Sequence, residues 1–156
     1  MKITSFDIKY ALMYYFRFKR QWLCASECMN NDIMAITDKD IVEVEVKISK
    51  YDLWKGEAKK RKHEYMINPS GWSLMSMPNR FYICVPIYLE EEARRWVNQI
   101  NKKYGIIRYD PQFSKYDAIS ISKSAISLHN NIANKRIERK IMMRVCAENI
   151  NWMDKK

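Results

Sequence analysis

The sequence predicts a mixed α/β fold of the α+β class, in which helices flank one mixed β-sheet. Strand-like and helical runs follow in the order α-β-β-β-α-β-α-β-β-α, which a sheet covered by helices accommodates. One strand-like run alternates valines with charged residues, and another, at 80–85, is mostly apolar, as buried central strands are. The 156 residues, 47% of them apolar, suffice for a single domain over 1–156 with its own core.

The first half of the chain carries three strand signals between two helix signals. Thr4 with Asp7 three residues later is a capping-box pattern, which opens a helix. Alternation in the first strand is expected to place Leu23, Ala25 and Glu27 on one face. The predicted elements are a helix at about 5–20, strands at 22–29, 32–37 and 41–49, and a helix at about 50–66.

The second half begins with a sequence that terminates a helix, and it ends with a basic helix. Residues 68–71 read Asn-Pro-Ser-Gly, and this sequence ends the second helix. Pro86 ends the apolar strand, because proline cannot donate to a ladder. The predicted elements are a loop at 67–78, strands at 80–85, 105–109 and 117–122, a helix at 89–103, and a basic C-terminal helix at about 130–149.

The third strand carries residues that point to phosphodiester chemistry. Its valines share one face, while Glu43, Glu45 and Lys47 share the other, about 7 Å apart at ~3.3 Å per residue. Asp32 opens the neighbouring strand. A Mg²⁺-dependent phosphodiesterase needs such a set, with carboxylates for the metal and a lysine beside the water and the phosphate.

Asp32 and Glu45 are the expected metal ligands, because Mg²⁺ prefers oxygen donors. Lys47 is expected to stabilise charge in the transition state, since nearby carboxylates oppose the lowered pKa that a general base needs. The alternatives are a hairpin role for Asp32, a solvated Glu45, and a salt bridge from Lys47 to Glu43 or Glu45. Without metal, the carboxylates are expected to repel one another and raise at least one carboxylate pKa, so that Asp32→Asn stabilises the protein.

The net charge of +10 favours an anionic partner, and the basic residues cluster at 55–62 and at 135–144. We expect DNA as the partner, with Lys59, Lys62 and His63 of the second helix on its phosphates. A solubilising basic surface and a helix-surface histidine are the alternatives. Aromatic residues interleaved with basic ones in the first helix suit stacking on single-stranded bases, although most of them are expected in the core.

Several classes of protein are disfavoured. No run of about 18 apolar residues occurs, and the charged N-terminus is unlike a signal peptide, so no membrane association is expected. The four cysteines form no CxxC pair, which predicts reduced thiols in a cytoplasmic protein. Cys24 and Cys28 are expected on one face of the first strand, too far apart to share a structural zinc. The oligomeric state stays open, with a homodimer as one alternative.

A series of residues in chain order carries a family resemblance over roughly residues 6–125. The series is Glu27, the segment 32–36 that Asp32 opens, Val44-Glu45-Val46-Lys47-Ile48-Ser49, Tyr51-Asp52-Leu53, Lys62-His63-Glu64-Tyr65, the segment 78–86 and Gly105-Ile106-Ile107. It resembles the PD-(D/E)XK nuclease superfamily, or restriction-endonuclease-like fold, and within it the MmcB-like DNA-repair nucleases and related phage proteins. The resemblance implies that Glu27 is a third carboxylate, ahead of Glu43, where the family more often has an apolar residue.

Together these observations predict a Mg²⁺- or Mn²⁺-dependent nuclease that hydrolyses DNA phosphodiester bonds in repair, recombination or phage DNA processing. A non-catalytic nucleic-acid-binding module on the same fold is the alternative. A third hypothesis is an interaction protein whose basic C-terminal helix docks an acidic partner. The chain has no phosphate-binding glycine loop, and with two histidines it has no convincing Ser-His-acid or Cys-His nucleophile pattern.

Overall fold

Six strands form one mixed sheet in spatial order β1-β2-β3-β4-β5-β6, in a computed structural model that describes residues 3–68, 77–131 and 135–155. The first three strands are an antiparallel meander, β3, β4 and β5 run parallel, and β6 returns antiparallel at the edge. The strands are β1 (Leu23–Cys28), β2 (Asn31–Ile36), β3 (Ile41–Val46), β4 (Arg80–Pro86), β5 (Gly105–Tyr109) and β6 (Ile119–Lys123).

Helices cover both faces of this sheet, so the predicted mixed α/β class and the predicted element order are confirmed. The α-helices are α1 (Ser5–Tyr14), α2 (Lys62–Ile67), α3 (Glu90–Ile100) and α4 (Lys135–Met153). Within the described ranges, Tyr15–Lys19 and Asp52–Glu57 are π-helical, and Ile87–Leu89 and Lys115–Ala118 are 3-10 helices. Among the described residues, no helix is both long enough and apolar enough to cross a membrane.

The two faces of the sheet have different cores. On the face that we call the α1 face, Ile8 and Leu12 of α1 join a core with Val44 and other sheet residues. The opposite face, which we call the α3 face, has two cores. One lies under α2 and α3 and the other under α4. They include Phe81, Ile83, Leu53 and Trp96 in the first, and Met34, Ile36, Ile137 and Ile141 in the second. The residues of β3 between these two cores are polar.

The helix signals at the chain's start and centre are confirmed, with changes in their extent. Thr4 and Asp7 form the predicted capping box, and α1 continues as a π-helical turn up to Arg20. The helix predicted at 50–66 does open at Ser49, whose Oγ accepts from the Asp52 amide at 3.1 Å. It is interrupted after Glu57, however, and resumes as α2.

One local backbone conformation overturns the predicted face of Glu27. This residue has φ 48°, in the left-handed region, so the regular alternation of β1 fails there. Glu27 consequently contacts Lys9 of α1 instead of sharing a face with Ala25. Cys24 and Cys28 also lie in cores on opposite faces, so their predicted shared face is wrong as well.

The remaining predicted strands and helices are present, with ends that differ from the predicted ones by up to five residues. The hairpin turn lies at Met29 and Asn30, both with positive φ, one residue before the gap at 30–31 between the first two predicted strands. Residues 69–76 of the predicted loop lie outside the described residues, as do 132–134 in the segment before α4. All four cysteines are unpaired thiols, three of them buried.

Candidate active site

The polar side chains of β3 all lie on the α3 face, as the alternation predicts. Val42, Val44 and Val46 belong to the core under α1, while Glu43 and Glu45 lie beside Phe81 and Ile83 of β4 in register. These polar residues are nevertheless buried, with 3% of Glu43, 1% of Glu45 and 6% of Lys47 exposed. The alternative in which Glu45 is a solvated strand residue is therefore wrong.

Three carboxylates and three ammonium groups form one ionic network there, which we call the Glu–Lys cluster. Its members are Glu43, Glu45 and Glu57 with Lys47, Lys60 and Lys62. Lys62 Nζ lies 2.6 Å from Oε1 of Glu43 and 2.6 Å from Oε1 of Glu45, while Lys60 Nζ lies 2.7 Å from Oε2 of Glu45. When Glu43 is ionised, three anions balance three cations, which explains how this network can be buried.

Glu57 is the innermost carboxylate of the Glu–Lys cluster, and its side chain is fully buried. Its Oε2 lies 2.8 Å from Lys60 Nζ and 3.0 Å from Lys47 Nζ, although neither pair has hydrogen-bond angles. Burial opposes its ionisation, but the His63 hydrogen bond and the charges of Lys62 and Lys47 lower its pKa overall. Glu57 is consequently a carboxylate anion at neutral pH.

His63 is buried, with 4% of its surface exposed, so both predicted roles for it need correction. Its Nε2 lies 3.0 Å from Glu57 Oε1 and its Nδ1 lies 2.8 Å from the Tyr104 hydroxyl. The rings of Phe81 and Trp96 pack edge-on against the imidazole. His63 is therefore neither a surface histidine nor placed to touch a phosphate, and it positions Glu57 instead.

Asp32 lies where β2 and β3 part. The backbone pairing of these strands ends at Ile33 and Val44, and beyond it Asp32 Oδ2 accepts the Val46 amide at 2.8 Å. Asp32 Oδ1 lies 2.7 Å from Lys9 Nζ of α1. Although burial opposes ionisation, the hydrogen bonds from Lys9 and Val46 and the charges of Lys9 and Lys47 lower the pKa of Asp32. The expected repulsion within the carboxylates thus does not govern this residue.

The other two candidate carboxylates fall on different sides of the site. Glu27 is half-exposed and contacts the same lysine as Asp32, Lys9. Glu43 shares Lys62 with Glu45 on the α3 face. The structure therefore brings Glu27 to Asp32 and Glu43 to Glu45.

The donor chemistry of Asp32 and Glu45 suits Mg²⁺ or Mn²⁺, since both are carboxylates. In this conformation, however, lysine ammonium groups and the Val46 amide contact their oxygens. Within the described part of the chain, no group of three or more His, Cys, Asp or Glu side chains is arranged to hold a metal ion. Metal binding here therefore requires lysines to move off the carboxylates.

A cleft of about 780 Å³ opens on the α3 face beside Glu43. Lys60, Lys62 and Tyr65 line one wall and the β1–β2 turn lines the other. The cleft gives solvent a route to the Glu–Lys cluster, whose Lys60 and Lys62 are partly exposed. Lys59 is exposed, in the turn before α2.

Sequence reasoning missed four residues that complete this site. Glu57 and Tyr104 come from distant elements and meet only through His63. Lys60 appeared only as one of several lysines in a basic run, and Lys9 only as a charge on a helix. Of these residues, only Lys9 had a signal in the sequence. The apolar stripe of α1 predicts which side of the helix faces the sheet, and hence that Lys9, beside Ile8 of that stripe, lies near the sheet.

No protein-family model matches this chain, and no curated protein and no solved structure matches it either.

Proposed function

We propose that this chain is a Mg²⁺- or Mn²⁺-dependent nuclease of the PD-(D/E)XK type that hydrolyses phosphodiester bonds of DNA. One observation carries the proposal: Asp32 Oδ2 accepts the amide of Val46, the residue between Glu45 and Lys47. Asp32, Glu45 and Lys47, which are related in the sequence only by their pattern, are thereby neighbours at one end of β3. A role in repair, recombination or phage DNA processing follows from the family resemblance.

Each of the three residues has a role that its surroundings support. Asp32 and Glu45 supply oxygens for the metal, which when bound would activate water and neutralise charge on the phosphate. Burial disfavours the charged form of Lys47, yet the charges of Glu57 and Glu45 raise its pKa overall. Lys47 is therefore protonated at neutral pH, and it serves as a stabiliser of negative charge and not as a general base.

The lysines that hold the carboxylates have a second role in this proposal. Lys9, Lys60 and Lys62 neutralise Asp32 and Glu45 in the absence of substrate. Lys60 and Lys62 also line the cleft, so they can turn from carboxylate oxygens to phosphate oxygens when a strand enters.

A second candidate function is a non-catalytic nucleic-acid-binding module. The specific observation in its favour is that ammonium groups already contact both oxygens of Glu45. A module of this kind would use the exposed lysines for phosphates and the Glu–Lys cluster only for stability. It requires no divalent metal.

Cleavage and metal binding distinguish the two functions. Purified protein would be incubated with labelled duplex, flap, junction and single-stranded DNA in Mg²⁺, in Mn²⁺ and in chelator. Asp32→Asn and Lys47→Ala should lower the cleavage rate by roughly 100-fold or more, as loss of a charge-stabilising group does. Glu91→Gln, at a glutamate whose side chain is 82% exposed, is the matched control.

Titration calorimetry with Mn²⁺ alone provides the second readout. The nuclease proposal requires heat of binding in the parent and its loss in Asp32→Asn. Cleavage by all variants at the parental rate would contradict the site assignment. DNA binding without cleavage and without Mn²⁺ binding would establish the second candidate.

A further inference from the structure

Four aromatic side chains form a row along the outer side of α1 and the π-helical turn that follows it. They are Phe6, Tyr10, Tyr14 and Phe18, spaced four residues apart, and we call them the aromatic row. Adjacent ring centroids are 5.0 Å apart from Tyr10 to Tyr14 and 5.0 Å apart from Tyr14 to Phe18. Residues on the opposite side of the same helix, Ile8, Ala11 and Leu12, make the core.

The row is exposed to a degree that core packing does not explain. Phe6 is 73% exposed, Tyr10 49% and Phe18 60%. Large aromatic side chains in water lose the stabilisation that their burial would give, about 25 cal/mol for each Å². A contiguous exposed aromatic surface on a folded chain is therefore a candidate interaction site.

Cations accompany these rings. The Arg17 guanidinium lies 5.7 Å from the Phe18 ring centroid, and Lys115 Nζ lies 5.6 Å from that of Tyr14. Lys19 and Arg20 continue the basic surface over Tyr116 and Trp22. Two acids lie near the row: Asp7, bonded to Thr4 as a helix cap, and Asp117, 3.9 Å from Lys19. The charge around the row is thus predominantly positive.

We propose that the aromatic row binds single-stranded nucleic acid, whose bases stack on the rings while its phosphates contact Arg17 and Lys115. Stacking needs exposed base faces, which a single strand offers and an intact duplex does not. A protein partner would favour an apolar surface without cations among the rings, so the charges beside Tyr14 and Phe18 favour nucleic acid.

The row also leads towards the candidate active site. Lys9, the residue before Tyr10, contacts Asp32. A nucleic-acid strand that follows α1 past Tyr10 therefore arrives at the start of β2, where Asp32 lies. This connection to cleavage rests on the proposed function, whereas the binding itself does not.

Fluorescence anisotropy in chelator tests the binding without any cleavage. The probes are an oligothymidine of about 15 nucleotides and a blunt duplex of the same length, long enough to cover several rings. The parent should bind the single strand more tightly than the duplex. Phe6→Leu and Phe18→Leu keep an apolar side chain but remove the ring, and each should weaken single-strand binding about five-fold or more, because each stacked base contributes ~1 kcal/mol or more.

One further variant makes the result specific. Tyr88→Leu removes a ring that is 62% exposed elsewhere on the surface, and it should bind as the parent does. Equal affinity for the duplex, or parental affinity in both leucine variants at the row, would overturn the proposal. Because these assays contain chelator, neither outcome decides whether the protein is a nuclease.

A second, independent observation concerns α4, which is apolar on two opposite sides. Ile137 and Ile141 are buried against the sheet. On the far side Met143, Cys146, Ile150 and Met153 are exposed, with the 3-4-3 spacing of a two-heptad coiled-coil seam. A helix that is apolar on both sides is expected to be buried on both.

The charges beside this seam identify a second copy of the chain, packed antiparallel, as the occupant. In the antiparallel arrangement Met143 meets Met153 of the second copy, and Lys140 meets Asp154 of the second copy, twice by symmetry. A parallel arrangement would instead place Lys135 opposite Lys140 of the second copy. It would also place Arg136 and Arg139 each opposite the same arginine of the second copy. We infer that α4 forms an antiparallel homodimer contact.

Sedimentation equilibrium of the full chain tests the dimer. Met143→Glu and Ile150→Glu should each give a monomer, while Val145→Glu, at an exposed position off the seam, should leave a dimer. Lys140→Asp and Asp154→Lys should each weaken dimerisation about five-fold, and the double variant should restore it, since each exposed ion pair contributes ~0.5 kcal/mol. A monomeric parent, or no restoration in the double variant, would overturn the inference.

Discussion

Oδ2 of Asp32 lies 2.8 Å from the backbone nitrogen of Val46, so a side chain takes the place of a strand carbonyl where β2 and β3 part. This bond, together with the ion pair to Lys9, changes the expected effect of removing the charge of Asp32. Repulsion among carboxylates predicted that Asp32→Asn would stabilise the protein without metal. The observed partners are cationic or donate hydrogen bonds, and they predict the opposite.

Asp32→Asn should therefore destabilise the metal-free protein, by about 1.5–3 kcal/mol if its charge-assisted hydrogen bonds have the usual strength. Because the pKa of Asp32 is lowered on folding, its contribution is present at neutral pH and is lost as pH falls through the folded pKa. Urea unfolding in chelator measures the difference. Asp38→Asn, at an exposed turn residue, is the control, and a more stable Asp32→Asn would restore the repulsion argument.

Mn²⁺ should raise the melting temperature of the parent protein, since a ligand that binds only the folded state stabilises it, by about 2.7 kcal/mol at 100 times Kd. The rise should be much smaller in Asp32→Asn, which lacks one metal-binding carboxylate. Thermal melts with Mn²⁺ and with chelator give the comparison. Equal stabilisation of both proteins would show that Asp32 is not a metal ligand.

Glu43 should make the protein less stable as pH rises between 4.5 and 7. Burial raises its pKa from 4.5 to about 7, despite the opposing charge and hydrogen bond of Lys62. In that interval the unfolded chain has released a proton that the folded chain keeps, so stability falls with pH, by at most roughly 3 kcal/mol. Urea unfolding at pH 5 and pH 8 should show a smaller pH effect in Glu43→Gln than in the parent. An exposed glutamate, changed in Glu64→Gln, is the control, and an unchanged pH effect in Glu43→Gln would contradict the assignment.

The charge of Glu57 should contribute more to stability than the Tyr104 hydroxyl, although both groups contact His63. Glu57→Gln leaves Lys47 and Lys60 without their innermost counter-charge, a change that typically costs about 3–5 kcal/mol for a buried pair. Tyr104→Phe removes only the hydroxyl beside His63 and should cost about 1 kcal/mol. Urea unfolding ranks the two, and an equal or smaller cost for Glu57→Gln would mean that the cluster is solvated and not a buried network.

The sequence predicted which side chains of β3 share a face, but not how deeply they lie. Alternation sets the direction of Glu43, Glu45 and Lys47, because it depends only on the backbone of one strand. Their burial depends on α2 and on Lys60 and Lys62, which lie many residues away along the chain. A sequence pattern does not show such long-range pairs, so the sequence did not predict that these side chains are buried.

Glu27 and His63 show the same limit of sequence patterns, the first through its backbone conformation and the second through its side-chain contacts. Glu27 has the pattern of a regular strand residue, yet its left-handed φ turns it to the α1 face. His63 looks like a surface residue within a basic run, yet it is held by Glu57 and Tyr104 from other elements. In both cases a tertiary contact prevails over the local pattern, and the candidate site changes accordingly.

The lysines near α2 should differ in how they affect DNA binding. Lys55 and Lys59 are exposed, whereas Lys60 and Lys62 contact buried glutamates. Replacing either exposed lysine with alanine should lower the slope of log K against log[salt] by about 1 without loss of stability, because each neutralised phosphate releases counterions. Lys62→Ala should also destabilise the fold, since it leaves Glu43 and Glu45 without their shared cation. Binding isotherms at several salt concentrations, with unfolding curves for each variant, give both quantities, and Lys39→Ala in the turn between β2 and β3 is the control. If the slope changes for Lys39→Ala but not for the variants at 55 and 59, the DNA lies elsewhere and the cleft beside Glu43 is not its path.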